Sequence, residues 1–403
     1  MGVHGLSETR LPEVLSGIET TARASPEIAV AIIVALVLLV IAAALVFRRL
    51  RRSRADRLRR LLGKADAVAV LMHPNPDPDA MGAAIGVREL AESGGSPVSI
   101  YYPGQIRHQQ NRAFQTVLDL DFEQIEDASD IVEDTLVLVD HNQARGFTGA
   151  ERLEPDIVID HHPGDGAGSA FTDVRPTYGA CASIVAEYFE DLDAKLHTGQ
   201  AERTDGGQPT ATEDPTLSAS VATGLMYGIQ ADTDHLTKGC TGAEFAASSY
   251  LFPAIDEDIL HRIANPQVTR EVLETKATAI TDRVTNGSFA IADVGDIDDI
   301  DAIPQAADEL VRLEGTSAVV VYGSKDGTIH LSGRSVDDRV HMGRTLEAVF
   351  ESVPMASAGG HARMGGGQVP IQYLAGIGPD SVEEDRARSD LRGKLFNAMK
   401  GNV

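Results

Sequence analysis

The residue types best suited to chemistry are Asp and His, gathered at four places along the chain. The stretch His73-Pro74-Asn75-Pro76-Asp77-Pro78-Asp79 sets an imidazole and two carboxylates close together. Asp140 closes the run TLVLVD, and Asp160-His161-His162 follows DIVI. The stretch GIQADTDHLTKG adds Asp232 and Asp234. Pro74, Pro76 and Pro78 exclude a regular helix through the first stretch and stiffen it. Hard oxygen donors mixed with imidazole suit Mn²⁺, Mg²⁺, Fe²⁺ or Co²⁺ better than a thiolate-rich zinc site would. Taken alone, the first stretch also reads as an Asp/Pro turn on an acidic surface. The recurrence of Asp and His at three further elements favours a site. Such a set can hold two divalent ions, which generate hydroxide near neutral pH and neutralise charge on a phosphoryl group. A carboxylate-heavy site accepts phosphate only because the cations invert its charge.

These side chains need a scaffold that delivers them to one edge. Residues 67–72 (AVAVLM), 135–140 (TLVLVD) and 156–160 (DIVID) are short apolar runs that read as buried strands. Helical patterns begin near Asp79 and cover Ala180 to Phe189 and Leu217 to Ile229. Strands alternating with helices predict an α/β domain with a largely parallel sheet. Ligands of such sheets lie beyond the carboxyl ends of the strands, where His73, Asp77, Asp140 and Asp160-His161-His162 fall. The polar, aperiodic stretch 191–216 reads as a surface insertion, and His197 within it as solvated. From about residue 286 a second pattern follows. It comprises a strand SFAIADV, a helix from Ile300 to Arg312, a strand TSAVVVYG, a turn at Lys325-Asp326-Gly327-Thr328, a strand IHLSGRS and a helix from Met342 to Phe350. Asp-Gly at the turn is a hairpin signal. The fold class expected is therefore α/β: a parallel-sheet domain plus a smaller α/β C-terminal domain. The boundaries expected are 63–253 for the first domain, a helical linker over 254–284, 285–375 for the second domain and a C-terminal tail over 376–403.

Composition narrows the setting. The chain has 403 residues and a formal net charge of -25, and only seven of its 35 basic residues are Lys. That balance suits solubility in concentrated salt, where screening relieves self-repulsion, and predicts adaptation to a halophilic cytoplasm. It opposes binding to long nucleic acid, which favours positive footprints. Two cysteines, Cys181 and Cys240, are too few for a disulfide framework and read as buried small residues. Residues 28–47 (IAVAIIVALVLLVIAAALVF) carry no charge and no Pro, which predicts a transmembrane helix. A basic juxtamembrane linker follows over 48–62, including Arg48, Arg49, Arg51, Arg52, Arg54, Arg57, Arg59 and Arg60. The positive-inside rule then leaves residues 1–27 outside and the rest in the cytoplasm, as a single-pass membrane protein. A cleaved signal peptide would carry its charges before the apolar run instead.

The ordered motifs resemble the DHH superfamily of phosphoesterases over roughly residues 63 to 375. His73 to Gly82 is similar to the family's first motif, LVDHN to its second, Asp160-His161-His162 to its third and Asp232-Thr233-Asp234 to its fourth. Ser332-Gly333-Arg334-Ser335 and Gly359-Gly360-His361 resemble the DHH-associated C-terminal domain. The resemblance implies two divalent metal ions, manganese foremost. His73, Asp77 and Asp140 would hold one; Asp79, Asp140, His161 and Asp232 would hold the other, with Asp140 shared. It implies that Asp160 orients His161 and that His162 faces substrate, the two forming the catalytic pair. Ser332, Arg334, Ser335, Gly359, Gly360 and His361 would bind substrate, Arg334 through bidentate phosphate contact. The chain departs from the family where Met364, Gly365 and Gly366 stand in place of two alanines and a glycine. His141-Asn142 resembles the inorganic pyrophosphatases of the family, which lack the Gly-Gly-His segment. His108, His235, His330 and His341 receive no role.

The reading that follows is a membrane-anchored, manganese-dependent phosphodiesterase that hydrolyses small nucleotides by two-metal hydroxide attack. Its substrate would be cyclic di-AMP or a short linear oligonucleotide, and a homodimer is compatible with it. Three alternatives stand beside it: a nano-RNase that also dephosphorylates 3′-phosphoadenosine 5′-phosphate, an inorganic pyrophosphatase, and a non-catalytic membrane-tethered nucleotide sensor.

Overall fold

A computed structural model describes residues 53–106, 108–197, 214–375 and 381–401, together with Val34. The chain divides into two compact units, residues 1–105 with 120–260 and residues 106–119 with 261–403.

The first unit is built on a six-stranded sheet in the order β3-β2-β1-β4-β5-β6. Its strands are β1 (Val68–Leu71), β2 (Val98–Pro103), β3 (Glu123–Ile125), β4 (Thr135–Val139), β5 (Ile157–Asp160) and β6 (Phe171–Val174). Every neighbouring pair is parallel. β1, β4 and β5 are the expected strands, and their near-continuous apolar sequences match strands covered on both faces. Strand order reverses between β1 and β4, which makes the gap beyond their carboxyl ends the ligand crevice of this topology.

Helices α2 (Pro78–Ser93), α4 (Cys181–Asp191) and α5 (Ala219–Asp232) belong to this unit, as does α1 (Arg54–Leu62). α2 and α5 pack with glycines at their contact. A Cβ on Gly82 would lie 2.8 Å from the Gly224 carbonyl oxygen, and one on Gly228 2.9 Å from the Pro78 carbonyl oxygen. Only hydrogen at these positions lets the two backbones approach so closely. The N-terminus of α5 is held by Glu89 of α2, which accepts from the Ser218 N–H at 2.6 Å and the Ser218 hydroxyl at 2.5 Å.

The single-pass membrane location requires correction. Among the described residues no helix is long and apolar enough to cross a membrane. The longest, Ser381–Met399, alternates charges with its apolar positions. The segment 28–47 lies outside the described residues apart from Val34. Part of the arginine stretch assigned to a membrane flank instead forms α1, capped by a reciprocal Ser53–Asp56 pair. Leu58 and Leu62 of α1 are fully buried, a gain of about 1.5–3 kcal/mol each. Arg54 is paired with the buried Asp173, and Arg57 donates to the Ala170 carbonyl. These arginines are occupied by the domain itself.

The stretch 191–216 is anchored by β7 (Lys195–Leu196) and β8 (Thr216–Leu217), which pair in parallel; residues 198–213 lie outside the described part.

The second unit holds a sheet in the order β13-β14-β12-β11-β10-β9. Its strands are β9 (Val284–Asn286), β10 (Phe289–Asp296), β11 (Ala318–Lys325), β12 (Thr328–Ser335), β13 (Ser357–Gly360) and β14 (Met364–Pro370). All pairs are antiparallel except β10 with β11. Asp326 and Gly327 both have positive φ, 50° and 73°, which is the conformation a two-residue hairpin turn needs. The Gly-Gly-His segment is not a free loop: it closes a second antiparallel ladder between β13 and β14. Helices α3 (Gln109–Val117), α7 (Glu257–Ala264), α8 (Arg270–Asp282), α9 (Ala302–Leu310) and α10 (Met342–Phe350) were foreseen except for α3; α6 (Gly242–Leu251) belongs to the first unit. The residues read as a tail include the helix Ser381–Met399, whose Leu391, Leu395, Phe396 and Met399 join the core of this unit. Its apolar stripe is narrow and flanked by charges, so composition alone made it look solvated.

Two outcomes are expected. Gly228→Val forces α5 away from α2 and costs about 1–3 kcal/mol by overpacking, read as a lower midpoint in urea denaturation. Burial raises the Glu89 carboxyl to about 7 against the pull of the Ser218 donors. The folded state therefore holds this proton more tightly than the unfolded chain, and stability declines as pH rises from the ordinary carboxylate range through 7. Glu89→Gln should leave Tm unchanged at pH 5 and raise stability at pH 8 by roughly 1–3 kcal/mol, as measured by thermal denaturation at both pH values.

Candidate metal centre

The sheet brings the first-unit residues together as its topology requires. His73 and Asp77 stand beyond β1, Asp140 directly after β4, and Asp160, His161 and His162 at the end of β5. Asp232 is the last residue of α5 rather than a loop residue beyond it. A carboxylate at a helix C-terminus meets the negative end of the helix dipole, an unfavourable placement that a nearby cation would relieve.

Asp77 caps α2, accepting from the N–H groups of Asp79 and Ala80 at 3.1 Å each. Asp79 is fully buried and caps a different helix. Its Oδ2 accepts from the Cys181 N–H at 2.6 Å and its Oδ1 from the Ala182 N–H at 2.7 Å. The N-cap residue of α4 is Ala180, which offers no side-chain acceptor, so Asp79 supplies the cap from α2. Asp140 has φ of 61°, a left-handed conformation that Asp tolerates better than most residues and that turns the chain sharply after β4.

The two oxygens of Asp140 serve different neighbours. Oδ2 lies 3.3 Å from His73 Nε2, and Oδ1 lies 3.2 Å from His161 Nε2. His73 Nε2 is also 3.7 Å from Asp77 Oδ2. His161 Nε2 is 3.3 Å from Asp232 Oδ2 and 3.8 Å from Asp79 Oδ2. Donor atoms therefore converge in three overlapping groups: His73, Asp77 and Asp140; Asp79, His161 and Asp232; Asp140, His161 and His162.

The imidazoles are oriented by backbone. His73 Nδ1 sits 3.0 Å from the Pro74 carbonyl oxygen and His161 Nδ1 3.2 Å from that of Tyr178. Both rings thus present Nε2 to the carboxylates. Asp160 supports His162 rather than His161: Oδ1 accepts from the His162 N–H at 3.0 Å and lies 3.0 Å from His162 Nδ1. The role expected for Asp160 at His161 falls instead to the Tyr178 carbonyl. The other Asp160 oxygen accepts from Asn142 Nδ2 at 2.6 Å. Asn142 was visible beside His141 in the sequence but only the fold brings it to Asp160. His141 is buried, with Nδ1 2.9 Å from the Val139 carbonyl oxygen, and burial lowers its pKa to about 4.

Electrostatics show what the arrangement lacks. Burial and the neighbouring Asp77 and Asp140 raise Asp232 to about 7. Burial, with Asp140 and Asp232, pushes Asp79 well above the carboxylate range. Burial opposes charge on His73 and His161, yet the surrounding carboxylates raise them to about 11 and about 10. Burial likewise opposes ionisation of Asp140, but His161 and His73 hold it below its ordinary range. Asp79 and Asp140 are buried anions, Asp77 and Asp232 crowd against them from partly exposed positions, and the nearest positive charges are imidazoles that would have to stay protonated. Asp140 Oδ1 and His161 Nε2, although close, do not meet hydrogen-bond geometry, and among the described residues neither has a partner. Unpartnered buried polar atoms cost about 1–3 kcal/mol each. A divalent cation removes both penalties, and the oxygen and imidazole donor set fits a hard or borderline ion.

The second-unit residues are arranged differently from expectation. Arg334 does not offer a free fork: its Nε donates to Asp308 Oδ1 at 2.5 Å and Nη1 to the Ser332 hydroxyl at 2.8 Å. Ser335 is buried and donates to the Asp337 carbonyl at 3.0 Å. His361 is exposed, its N–H donating to the Met364 carbonyl at 2.7 Å. Gly359 and Gly360 lie in β13.

Fold and site together define a phosphoesterase class. The chain matches the DHH family N-terminal domain over residues 67–229 and the DHHA1 domain over residues 286–378. It belongs to the DHH superfamily of phosphoesterases. It is similar to the uncharacterized protein MJ1633 of Methanocaldococcus jannaschii, at 32% identity over 83% of this chain and 65% of that protein. It is also similar to the cyclic-di-AMP phosphodiesterase GdpP of Geobacillus thermodenitrificans, at 28% identity over 85% of this chain and 49% of that protein. The cyclic-di-AMP phosphodiesterase PdeA of Listeria monocytogenes is 24% identical over 71% of this chain and 43% of its own length. The chain thus spans between 43% and 65% of the length of these relatives. An exopolyphosphatase-related protein from Bacteroides fragilis shares the fold, with a TM-score of 0.58 and 15% identity over 86% of this chain and 97% of that one.

Metal binding has a direct check. Protein stripped with EDTA should gain stability on adding MnCl₂, by about 2.7 kcal/mol when the ion is at one hundred times its Kd. Asp140→Ala should show no such gain in the same thermal titration, because both donor groups lose their shared carboxylate; an equal gain in the variant would refute the shared role.

Proposed function

We propose that this protein is a divalent-metal phosphodiesterase of small nucleotides, with cyclic di-AMP or a short linear oligonucleotide as substrate and manganese as the metal. The observation that carries this reading is the division of Asp140 between His73 and His161, one oxygen to each. A carboxylate so divided suits two ions held side by side: one by His73, Asp77 and Asp140, the other by Asp79, Asp140, His161 and Asp232. When bound, such a pair lowers the pKa of water toward neutrality and neutralises charge on a phosphoryl group.

The chain's own residues supply the rest. Asp79 and Asp77 are immobilised by helix N-termini, so their oxygens are set before any ion arrives. His161 and His73 are kept in one tautomer by the Tyr178 and Pro74 carbonyls, with Nε2 left to donate electrons. Asp160 beside His162 raises that imidazole's pKa above its ordinary value. A His162 that is half exposed and protonated can donate a proton to a departing oxygen or steady a phosphoryl oxygen. Asn142 keeps Asp160 aimed at His162. In the second unit, Arg334 and the Gly359-Gly360-His361 segment would bind the nucleotide phosphate, with Asp308 yielding or sharing Arg334 as the anion arrives. The similarity to two cyclic-di-AMP phosphodiesterases supports a nucleotide substrate. The strongly negative surface favours small substrates over polymers.

The test is a panel. The full chain with MnCl₂ is incubated with cyclic di-AMP, pApA, 3′-phosphoadenosine 5′-phosphate and pyrophosphate, and products are resolved by chromatography. Hydrolysis of cyclic di-AMP or pApA with kcat/KM at least tenfold above the other two is expected. Turnover of pyrophosphate alone would replace this reading with a pyrophosphatase. Nucleotide binding without turnover would indicate a sensor.

A further inference from the structure

The carbonyl that orients His161 belongs to the peptide joining Tyr178 to Gly179, and that peptide is held at both ends. Its oxygen lies 3.2 Å from His161 Nδ1, and its N–H donates to Glu244 Oε1 at 2.8 Å. Glu244 is a fully buried carboxylate on α6. Burying a carboxylate is costly unless hydrogen bonds compensate.

Capping of α6 accounts for only one of its oxygens. Oε2 accepts from the Thr241 N–H at 2.6 Å and from the Thr241 hydroxyl at 2.9 Å, the return half of a capping box. A shorter side chain does the same elsewhere in this chain, where Asp56 closes the box with Ser53 on α1. The extra methylene of Glu244 carries Oε1 on to Gly179.

Gly179 is where the orienting peptide is weakest. A Cβ there would lie 2.6 Å from the Gly239 carbonyl oxygen and 3.0 Å from the Thr233 side chain. Close packing thus requires glycine, and glycine gives the peptide freedom to turn. On the other flank the Tyr178 hydroxyl is fixed, accepting from Arg175 Nη1 at 2.9 Å and donating to Glu187 Oε2 at 2.6 Å. Glu244 restrains the flank that is left. The chain that delivers Glu244 starts at Asp232 itself. It passes through three successive left-handed residues, Asp234, His235 and Leu236, with φ of 46°, 58° and 63°. Such a run persists only where its surroundings impose it, and it returns the chain so that Gly239 abuts Gly179 and Glu244 reaches its N–H.

We infer that Glu244 is a positioning residue for the ion assigned to Asp79, His161 and Asp232. It acts through one peptide. A carboxylate on the N–H fixes the plane of the Tyr178–Gly179 peptide and polarises its carbonyl toward His161 Nδ1–H. Nε2 is thereby left facing the ion. His73 is oriented by the Pro74 carbonyl instead, so the effect is confined to one of the two ions. This role rests on the two-ion reading of the metal centre.

The test separates positioning from capping and needs no turnover. The full chain, stripped with EDTA, is titrated with MnCl₂ by calorimetry, and His73→Ala assigns the two binding steps by weakening the other ion. Glu244→Asp keeps the charge and the capping box but falls short of Gly179. It should weaken the His161 ion about tenfold to a hundredfold, the scale of losing a group that orients a metal-bound histidine, and leave the other ion unchanged. Gly179→Ala, which drives a methyl against the Gly239 carbonyl and displaces the same peptide, should act alike. Thr241→Val removes the side-chain cap and leaves Glu244 on Gly179. It should lower the thermal midpoint yet change neither affinity. All variants are checked for folding by circular dichroism. A spectroscopic signature accompanies the titration. In the chain labelled with ¹⁵N at histidine and loaded with Zn²⁺, the His161 Nδ1–H proton, identified by its absence from His161→Ala, should be protected from solvent exchange. Protection should be lost in Glu244→Asp and kept in Thr241→Val. Wild type that binds two Mn²⁺ ions while Glu244→Asp binds both as tightly, or loses both equally, overturns the positioning role and leaves the metal centre standing. Wild type that binds no Mn²⁺ discards the metal centre and this role with it.

Discussion

The crowding of carboxylates beyond β1, β4 and β5 is the constraint around which the first unit is organised. Asp77, Asp79, Asp140 and Asp232 repel one another, and desolvation plus this repulsion lift Asp79 and Asp232 out of the carboxylate range. Such a cluster persists only if each member is tied to something else. Asp77 and Asp79 are tied to helix N-termini, where positive dipole ends offset part of their charge. Asp140 lies between two imidazoles, one near each oxygen. Asp232 alone sits at the wrong end of a helix, and it depends most on a counter-charge in the centre.

Much of the surrounding architecture follows from keeping those anions in place. α2 and α5 must lie close enough for Asp79 and Asp232 to face the same imidazole, and Gly82 and Gly228 permit that approach. Asp79 must be immobile, and its second task as the cap of α4 makes it so. The α4 cap and the candidate metal centre are thus one interaction seen from two sides. The strand order supplies the remaining requirement, because the reversal between β1 and β4 opens the crevice where Asp140 can turn one oxygen to each side.

The second unit solves a different problem. Its Gly-rich strands β13 and β14 carry few charged side chains, and its conspicuous arginine is already engaged by Asp308. A surface of that kind recognises shape and hydrogen-bonding edges more readily than it attracts anions.

Local sequence was enough to place β1, β4 and β5, the main helices, the hairpin at Asp326-Gly327 and the Asp and His residues of the site. Each of these signals is short-range: a run of apolar residues, a helical period, a turn dipeptide, a strand that ends in a ligand-type side chain. What the sequence could not specify were relations between residues distant along the chain. It did not reveal that Asp79 caps α4, that Asn142 rather than another group holds Asp160, that Tyr178 orients His161 in place of Asp160, or that Asp308 occupies Arg334. It did not reveal that Arg54 and Arg57 are engaged by Asp173 and Ala170, because these partners are more than a hundred residues away. The narrow apolar stripe of the last helix was likewise hidden among charges until the sheet it covers was in view. Residue types and local periodicity determined which groups could do chemistry; packing decided which of them meet, because a contact between remote elements depends on the whole intervening fold.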